Sequence, residues 1–197
     1  MKGEECMAPG PERSYLRRAG YWLIRLIPFS LLGVGSRIAS DALHMPGYYD
    51  SLGAMCASSL FGPLPSLLSG LVSGVLLIPY YQVYVLAFWI PGVAALVYGL
   101  IRRKGNPTFG ALLSSITYVF GWSVVYCLAT GTWGSMKSYL MTRGALILYL
   151  DVFICSSIGE LLSRVGKPST KVLSSIFLAS LALIGVSWIV VRETSGG

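Results

Sequence analysis

Residues 176–191 have the sequence IFLASLALIGVSWIVV, which is apolar on every face of any regular structure that it could form. Residues 146–150, LILYL, have the same character, and apolar runs follow one another from Tyr21 to Val191. A strand of a membrane barrel would alternate apolar and polar side chains over about ten residues, and these runs do not. Because backbone polar groups in lipid must be satisfied within the protein, the runs predict membrane-spanning α-helices.

The composition supports lipid as the solvent of this chain. Of its 197 residues 54% are hydrophobic and 12% are charged, whereas a soluble domain carries roughly 25% charge. The net charge is +7, but the sequence contains no basic soluble domain on which a nucleic-acid-binding face could form. The four cysteines are scattered, without metal-ligand spacing, so neither a metal nor a cofactor is expected.

The predicted fold class is all-α: a polytopic transmembrane bundle of six to seven helices. Residues 20–191 form its single domain, between a polar cytoplasmic leader at 1–19 and a short outer tail at 192–197. The apolar stretch from Tyr49 to Ile78 is too long for one span, and Gly62-Pro63 divides it. The helices are expected at about 20–40, 49–61, 64–78, 84–101, 109–129, 143–162 and 171–191.

Basic residues predict the orientation, because Lys and Arg accumulate in short cytoplasmic loops. With the N-terminus in the cytoplasm, the cluster 102–104 and the basic residues at 164, 167 and 171 all lie inside. We therefore expect a multi-pass protein of the cell (plasma) membrane. Segments 41–50, 79–84 and 130–141 then emerge together on the outer face, where they could form one pocket.

Polar and aromatic residues near that face are the candidate substrate-binding residues. Arg37 and Asp41 are one helical turn apart, and Arg37 either forms a structural pair or contacts substrate. Asp151 either contacts a ligand or proton, or is neutral or paired, whereas Glu160 is expected to pair with Arg164. The aromatic residues form an interfacial belt or bind a flat ring. The candidates are Arg37, Tyr49, Asp50, Ser51, Gly53, Tyr80, Tyr81, Gln82, Tyr84, Trp133 and Asp151.

Small residues recur at helical spacing, as in Gly35 with Ala39 and Gly70 with Gly74. Such pairs let helix backbones approach closely, either within the bundle or at an interface with a partner subunit. No nucleophile elbow, zinc-protease or phosphate-loop motif occurs, and the chain has one histidine. The protein is therefore not expected to be an enzyme.

Around helix 2 the sequence resembles a known family. Residues 49–54 are YDSLGA, residues 60–63 are LFGP, and a small-residue helix follows at 66–74. This pattern is similar to that of the substrate-binding S components of energy-coupling factor (ECF) transporters. The resemblance covers about residues 41–105 and places Asp50, Ser51 and Gly53 near an outer pocket.

The resemblance implies an ECF S-component-like bundle that captures a vitamin or other micronutrient. Its partners would be a transmembrane coupling subunit and two cytoplasmic ATPase subunits. Two features differ from the family pattern: an Ala-x-x-x-Ala motif is absent from the start of helix 1, and there is a seventh helix. A structural or assembly subunit of a larger membrane complex, or a solitary secondary transporter, remains an alternative.

Overall fold

The computed structural model describes residues 11–133, 143–166 and 168–195, with side chains omitted at 11–24, 143 and 187–195. Helices are the regular secondary structure of the described part, and it contains no strand, which confirms the predicted all-α fold class. The one-turn α4 leads directly into α5, so these two form one apolar segment and the bundle has seven such segments within the described residues. The helices are α1 (Pro11–Ala42), α2 (Leu52–Phe61), α3 (Pro63–Leu77), α4 (Tyr84–Ala87), α5 (Ile90–Arg102), α6 (Pro107–Thr130), α7 (Arg143–Val165) and α8 (Thr170–Ser195).

Three described segments are long and apolar enough to cross a membrane: Tyr84–Arg102, Pro107–Thr130 and Gly144–Val165. Large apolar side chains cover the outside of the bundle, as at Val72, Ile116 and Phe120, each of which is exposed. Exposing such an apolar surface to water is unfavourable, whereas contact with the acyl chains of lipid is favourable. The chain is a helical membrane protein.

The first helix begins well before the predicted residue 20, at Pro11. Proline is well tolerated at the first helical position, because the N–H that it lacks would have no partner there. Much of the predicted polar leader is thus part of α1. This helix packs against α2 and α3 on one side and against α8 on another.

Helices α2 and α3 meet at Gly62, where the backbone has φ 97°. That left-handed conformation favours glycine, and Pro63 then starts α3 at a position where proline is well tolerated. The turn falls within the Gly-Pro sequence that predicted it. It reverses the chain at one end of the bundle, so two short helices take the place of one long span.

Glycines allow several helices to touch backbone to backbone. A Cβ added at Gly70 would lie 2.3 Å from Cα of Gly92, and one added at Gly74 would lie 2.2 Å from the carbonyl oxygen of Phe88. Likewise a Cβ at Gly35 would lie 3.2 Å from the carbonyl oxygen of Ser180. These small residues are therefore occupied by contacts between the protein's own helices.

We name the two ends of the bundle by their residues: the Tyr48 end holds segments 43–51 and 78–83, and the Arg102 end holds 103–106 and Gly62. At the Arg102 end, Glu160 pairs with Arg102 and accepts a 2.6 Å hydrogen bond from Tyr98. The predicted Glu160–Arg164 pair is therefore wrong. A partner from α5 reaches this carboxylate, whereas Arg164 is exposed.

Glu160→Gln is expected to lower the free energy of unfolding by about 1.5–3 kcal/mol, because hydrogen bonds to a charged group have roughly that value. Arg164→Gln is the matched control and should change it little. Unfolding in mixed micelles, followed by tryptophan fluorescence, measures both. Equal losses in the two variants would contradict the assignment of Arg102 as the partner.

Candidate functional site

The loop between α1 and α2 forms one wall of the candidate site, and serines of α1 hold it. The Ser36 hydroxyl donates to the carbonyl of Tyr49 at 2.6 Å, and that of Ser40 donates to the carbonyl of Gly47 at 2.5 Å. Both serines lie on the last turns of α1, four residues apart, so they share one face. Segment 43–51 is thereby fixed against the end of that helix.

Asp151 of α7 holds the same loop from the other side. Its Oδ2 accepts hydrogen bonds from the backbone N–H groups of Tyr48 and Tyr49, at 2.8 and 2.9 Å. Tyr49 has φ 52°, an uncommon conformation for a residue with a side chain. Consecutive N–H groups that converge in this way bind an anion, and here the anion is the Asp151 carboxylate, which is buried.

Asp50 ties the loop to the bundle core. Its two carboxylate oxygens accept hydrogen bonds from the phenols of Tyr84 and Tyr118, and all three residues are fully buried. The loop is thus linked to α4 and α6 through one carboxylate. Because both oxygens accept hydrogen bonds from tyrosines, Asp50 positions aromatic rings.

Those rings surround Trp122 of α6. Its ring centroid lies 5.2 Å from that of Tyr48, 5.7 Å from Tyr84 and 6.4 Å from Tyr118, in edge-to-face arrangements. Edge-to-face packing is favourable for aromatic pairs and fixes ring orientation. Trp122 therefore presents a rigid aromatic surface at the Tyr48 end.

Arg37 lies between two further rings. Its guanidinium carbon is 4.1 Å from the ring centre of Tyr48 and 4.5 Å from that of Tyr81, which gives a cation–π contact on each side. Burial raises the pKa of Tyr48, so its phenol stays neutral. Nη1 lies 3.0 Å from Oδ1 of Asp41, which confirms that these two residues pair.

The buried guanidinium has spare hydrogen-bonding capacity. Arg37 is 8% exposed, and its Nε and Nη1 have no aligned hydrogen-bond acceptor among the described residues. The contact with Asp41 is therefore an ion pair without a well-directed hydrogen bond. Buried N–H groups of this kind usually have a partner, because leaving them unsatisfied costs free energy.

A cavity of about 220 Å³ opens beside this guanidinium. Aromatic and aliphatic side chains form most of its lining, and the charged group among its lining residues is Arg37. The cavity is lined by Arg37, Tyr48, Val83, Trp122, Val125, Tyr126 and Ala129. Apolar walls with one convergent charged group are typical of a small-molecule site.

The sequence-predicted residues divide into four groups in the structure. Arg37 lines the cavity, and the Tyr81 ring stacks on the Arg37 guanidinium. Four others support the loop and the aromatic rings: Tyr49, Asp50, Tyr84 and Asp151. Ser51 and Gly53 are buried at the start of α2, away from the lining, and Tyr80, Gln82 and Trp133 are exposed. Residues 134–141 of the predicted outer segment 130–141 lie outside the described residues.

Sequence reasoning missed the residues of α6 that form the cavity wall. Trp122 and Tyr126 line the cavity, and Tyr118 packs against Trp122. The three are spaced four residues apart, which places them on one face of the helix. That spacing was visible in the sequence. It was obscured because α6 contains no charged residue that would mark which of its sides faces away from the bundle.

The proposed partner-interface residues all lie inside the bundle. Gly35 and Ala39 are buried where α1 meets its neighbours, and Gly70 and Gly74 lie where α3 meets segment 88–92. A partner subunit therefore has no access to them in this conformation. Close packing of the chain itself accounts for their small size.

Comparisons with known proteins identify no relative. No family model matches the chain, and no curated protein or solved structure resembles it at a significant level. Among the described residues, no three His, Cys, Asp or Glu side chains are grouped so that they could hold a metal ion. The arrangement at the Tyr48 end is suited to holding a small molecule between rings and a guanidinium.

Proposed function

We propose that the protein is the substrate-binding (S) subunit of an ECF-type importer. It captures a vitamin or other small micronutrient at the outer face of the cell membrane. The observation that carries the proposal is the cavity at the Tyr48 end, with Trp122 and Tyr48 in its wall and the buried guanidinium of Arg37 beside it. The sequences YDSLGA (49–54) and LFGP (60–63), which resemble those of S components, support the choice of this family.

The charge distribution supports an outward-facing cavity. The basic cluster at 102–104 and Lys171 lie at the end of the bundle opposite Tyr48, and basic residues favour the cytoplasmic side. The Tyr48 end would then face outward, where a nutrient arrives. Release to the cytoplasm would require reorientation driven by ATP hydrolysis on partner subunits: a transmembrane coupling subunit and two cytoplasmic ATPases.

The two alternative functions have less support. A solitary secondary transporter would need a carboxylate that binds and releases a coupling ion, but Asp151 is occupied by two loop N–H groups and Asp50 by two phenols. An assembly subunit would need small-residue faces open to other chains, and those of α1 and α3 are covered. Binding without catalysis fits the site best.

Filling the cavity tests the proposal without disturbing the core. Ala129 lines the cavity and is exposed, so Ala129→Phe adds a ring there while it removes no buried contact. We expect this variant to retain a small molecule from its native host at least about tenfold less than the unmodified protein, a difference of 1.4 kcal/mol. Native mass spectrometry in mild detergent, with identification of the released compound, measures this.

Ala182→Phe is the matched control, since Ala182 is exposed on α8 and does not line the cavity. It should retain the compound as the unmodified protein does. An unmodified protein that carries no stoichiometric compound and co-purifies with unrelated membrane subunits would contradict the proposal. Uptake by this chain alone in sealed vesicles would contradict the role of the partners.

A further inference from the structure

We infer that the compound bound at the Tyr48 end carries an anionic group, a carboxylate or a phosphate, which Arg37 binds, and a flat ring, which packs against Trp122. The inference rests on the proposed function and names its substrate class. Two independent observations carry it: the hydrogen-bonding state of the Arg37 guanidinium, and the shape and lining of the cavity beside it.

The first observation is that N–H donors of the Arg37 guanidinium lack well-directed acceptors within the protein. Nε and Nη1 of Arg37 are buried and make no aligned hydrogen bond among the described residues, although Nη1 lies 3.0 Å from Oδ1 of Asp41. The Arg37 side chain is part of the cavity lining. A guanidinium presents its N–H groups in a planar fork that matches the two oxygens of a carboxylate or phosphate. An anion in the cavity would supply these acceptors, whereas a cationic ligand would leave them unsatisfied and would be repelled.

The second observation is the lining of the cavity, which includes none of the acidic side chains near Arg37. Asp50 and Asp151 are buried but do not line the cavity, and each is hydrogen-bonded within the protein. Asp41 is the remaining acidic neighbour; its side chain is 40% exposed and it pairs with Nη1. A bound anion would therefore compete with one solvent-accessible carboxylate, and Asp41 can turn toward water when the anion binds.

Size and shape restrict the rest of the compound. A cavity of about 220 Å³ is below the range of about 300–1,000 Å³ usual for drug-sized ligands. It therefore suits a compound with one or two rings. Trp122 is held by edge contacts with three tyrosines, so its ring offers a fixed surface for stacking.

Probes that share a phenyl ring but differ in charge separate the contribution of a ligand's charge to binding from that of its ring. We would measure thermal unfolding of the full chain in zwitterionic-lipid nanodiscs with benzoate, phenyl phosphate, neutral benzamide and cationic benzamidinium. The two anions should bind at least about tenfold more tightly than benzamide, because charge-assisted hydrogen bonds are roughly twice as strong as neutral ones. Benzamidinium should not stabilise the protein.

Three variants assign the effect to Arg37. Arg37→Gln should abolish the preference for benzoate over benzamide, and Arg37→Lys should retain part of it, since a positive charge remains without the planar fork. Asp41→Asn should strengthen benzoate binding, because it removes the competing carboxylate. Asp41→Asn also tests the inference if Arg37→Gln fails to fold. Equal binding of benzoate and benzamide, no stabilisation by either anion, or weaker benzoate binding in Asp41→Asn would overturn the inference.

A phospholipid headgroup could supply the same anionic chemistry, so a parallel measurement uses nanodiscs that contain phosphatidylglycerol. A soluble substrate predicts unchanged benzoate binding there, and competition by the anionic lipid would overturn the inference. The compound released from the native-host protein separates the two proposals. A neutral or cationic compound would overturn the inference and leave the proposed function standing, whereas an empty protein would overturn the proposed function.

Discussion

Gly53→Ala is expected to lower the free energy of unfolding by about 4 kcal/mol or more, a loss seen for few single substitutions. The added Cβ would lie 1.7 Å from the carbonyl oxygen of Phe29 and 2.8 Å from the backbone N of Gly33. Both atoms belong to the backbone of α1, so no side chain can rotate away. Relief requires α2 to move from α1, which would displace the loop that carries Tyr48.

Gly185→Ala is the matched control, because Gly185 is also helical and nothing lies within 4 Å of a Cβ added there. Both variants would be compared by the monodisperse fraction in detergent and by unfolding in mixed micelles. We expect the control to behave as the unmodified protein does, and Gly53→Ala to be largely lost. Similar yields for the two variants would show that the α1–α2 contact is looser than described.

Asp50→Ala is expected to lower the free energy of unfolding by about 3 kcal/mol or more, because each hydrogen bond to a charged group has a value of about 1.5–3 kcal/mol. The substitution removes the acceptor of both phenols and leaves the hydroxyls of Tyr84 and Tyr118 buried without it. It should also reduce compound retention, but indirectly, since those tyrosines orient Trp122.

A triple variant distinguishes this explanation from direct contact between Asp50 and substrate. Asp50→Ala combined with Tyr84→Phe and Tyr118→Phe removes the donors together with the acceptor. Replacing both sides of a buried hydrogen bond by apolar groups can be nearly neutral, so the triple variant should regain much of the stability that Asp50→Ala loses. If the stability loss of the triple variant equalled the sum of the three single-variant losses, the three residues would not form a shared network.

The helices were predictable because each apolar run is continuous and is bounded by turn residues. A long apolar run in lipid must satisfy its backbone hydrogen bonds within itself, which an α-helix does. Gly62-Pro63 marks the break between α2 and α3. The start of α1 was not predictable from hydropathy, since the helix extends through polar residues to Pro11. Polarity sets where a chain leaves lipid, but it does not set where a helix begins.

The candidate site was predictable in part. The sequence placed Arg37 and Tyr81 at one end and paired Arg37 with Asp41 through helical spacing, which is a local rule. Contacts between distant segments have no such rule, and thus Glu160 was assigned to its helical neighbour although Arg102 reaches it. For the same reason the tyrosines that surround Trp122 could be identified only once the helices were placed.

The contact between α1 and α8 has a consequence for biosynthesis. These are the first and last of the described helices, and they pack closely at Gly35 and Ser180. While the ribosome is still making the chain, one side of α1 faces lipid until α8 has been inserted. A chain that stopped after α7 would leave the face of α1 around Gly35 uncovered, so lipid or another helix would have to take the place of α8 there.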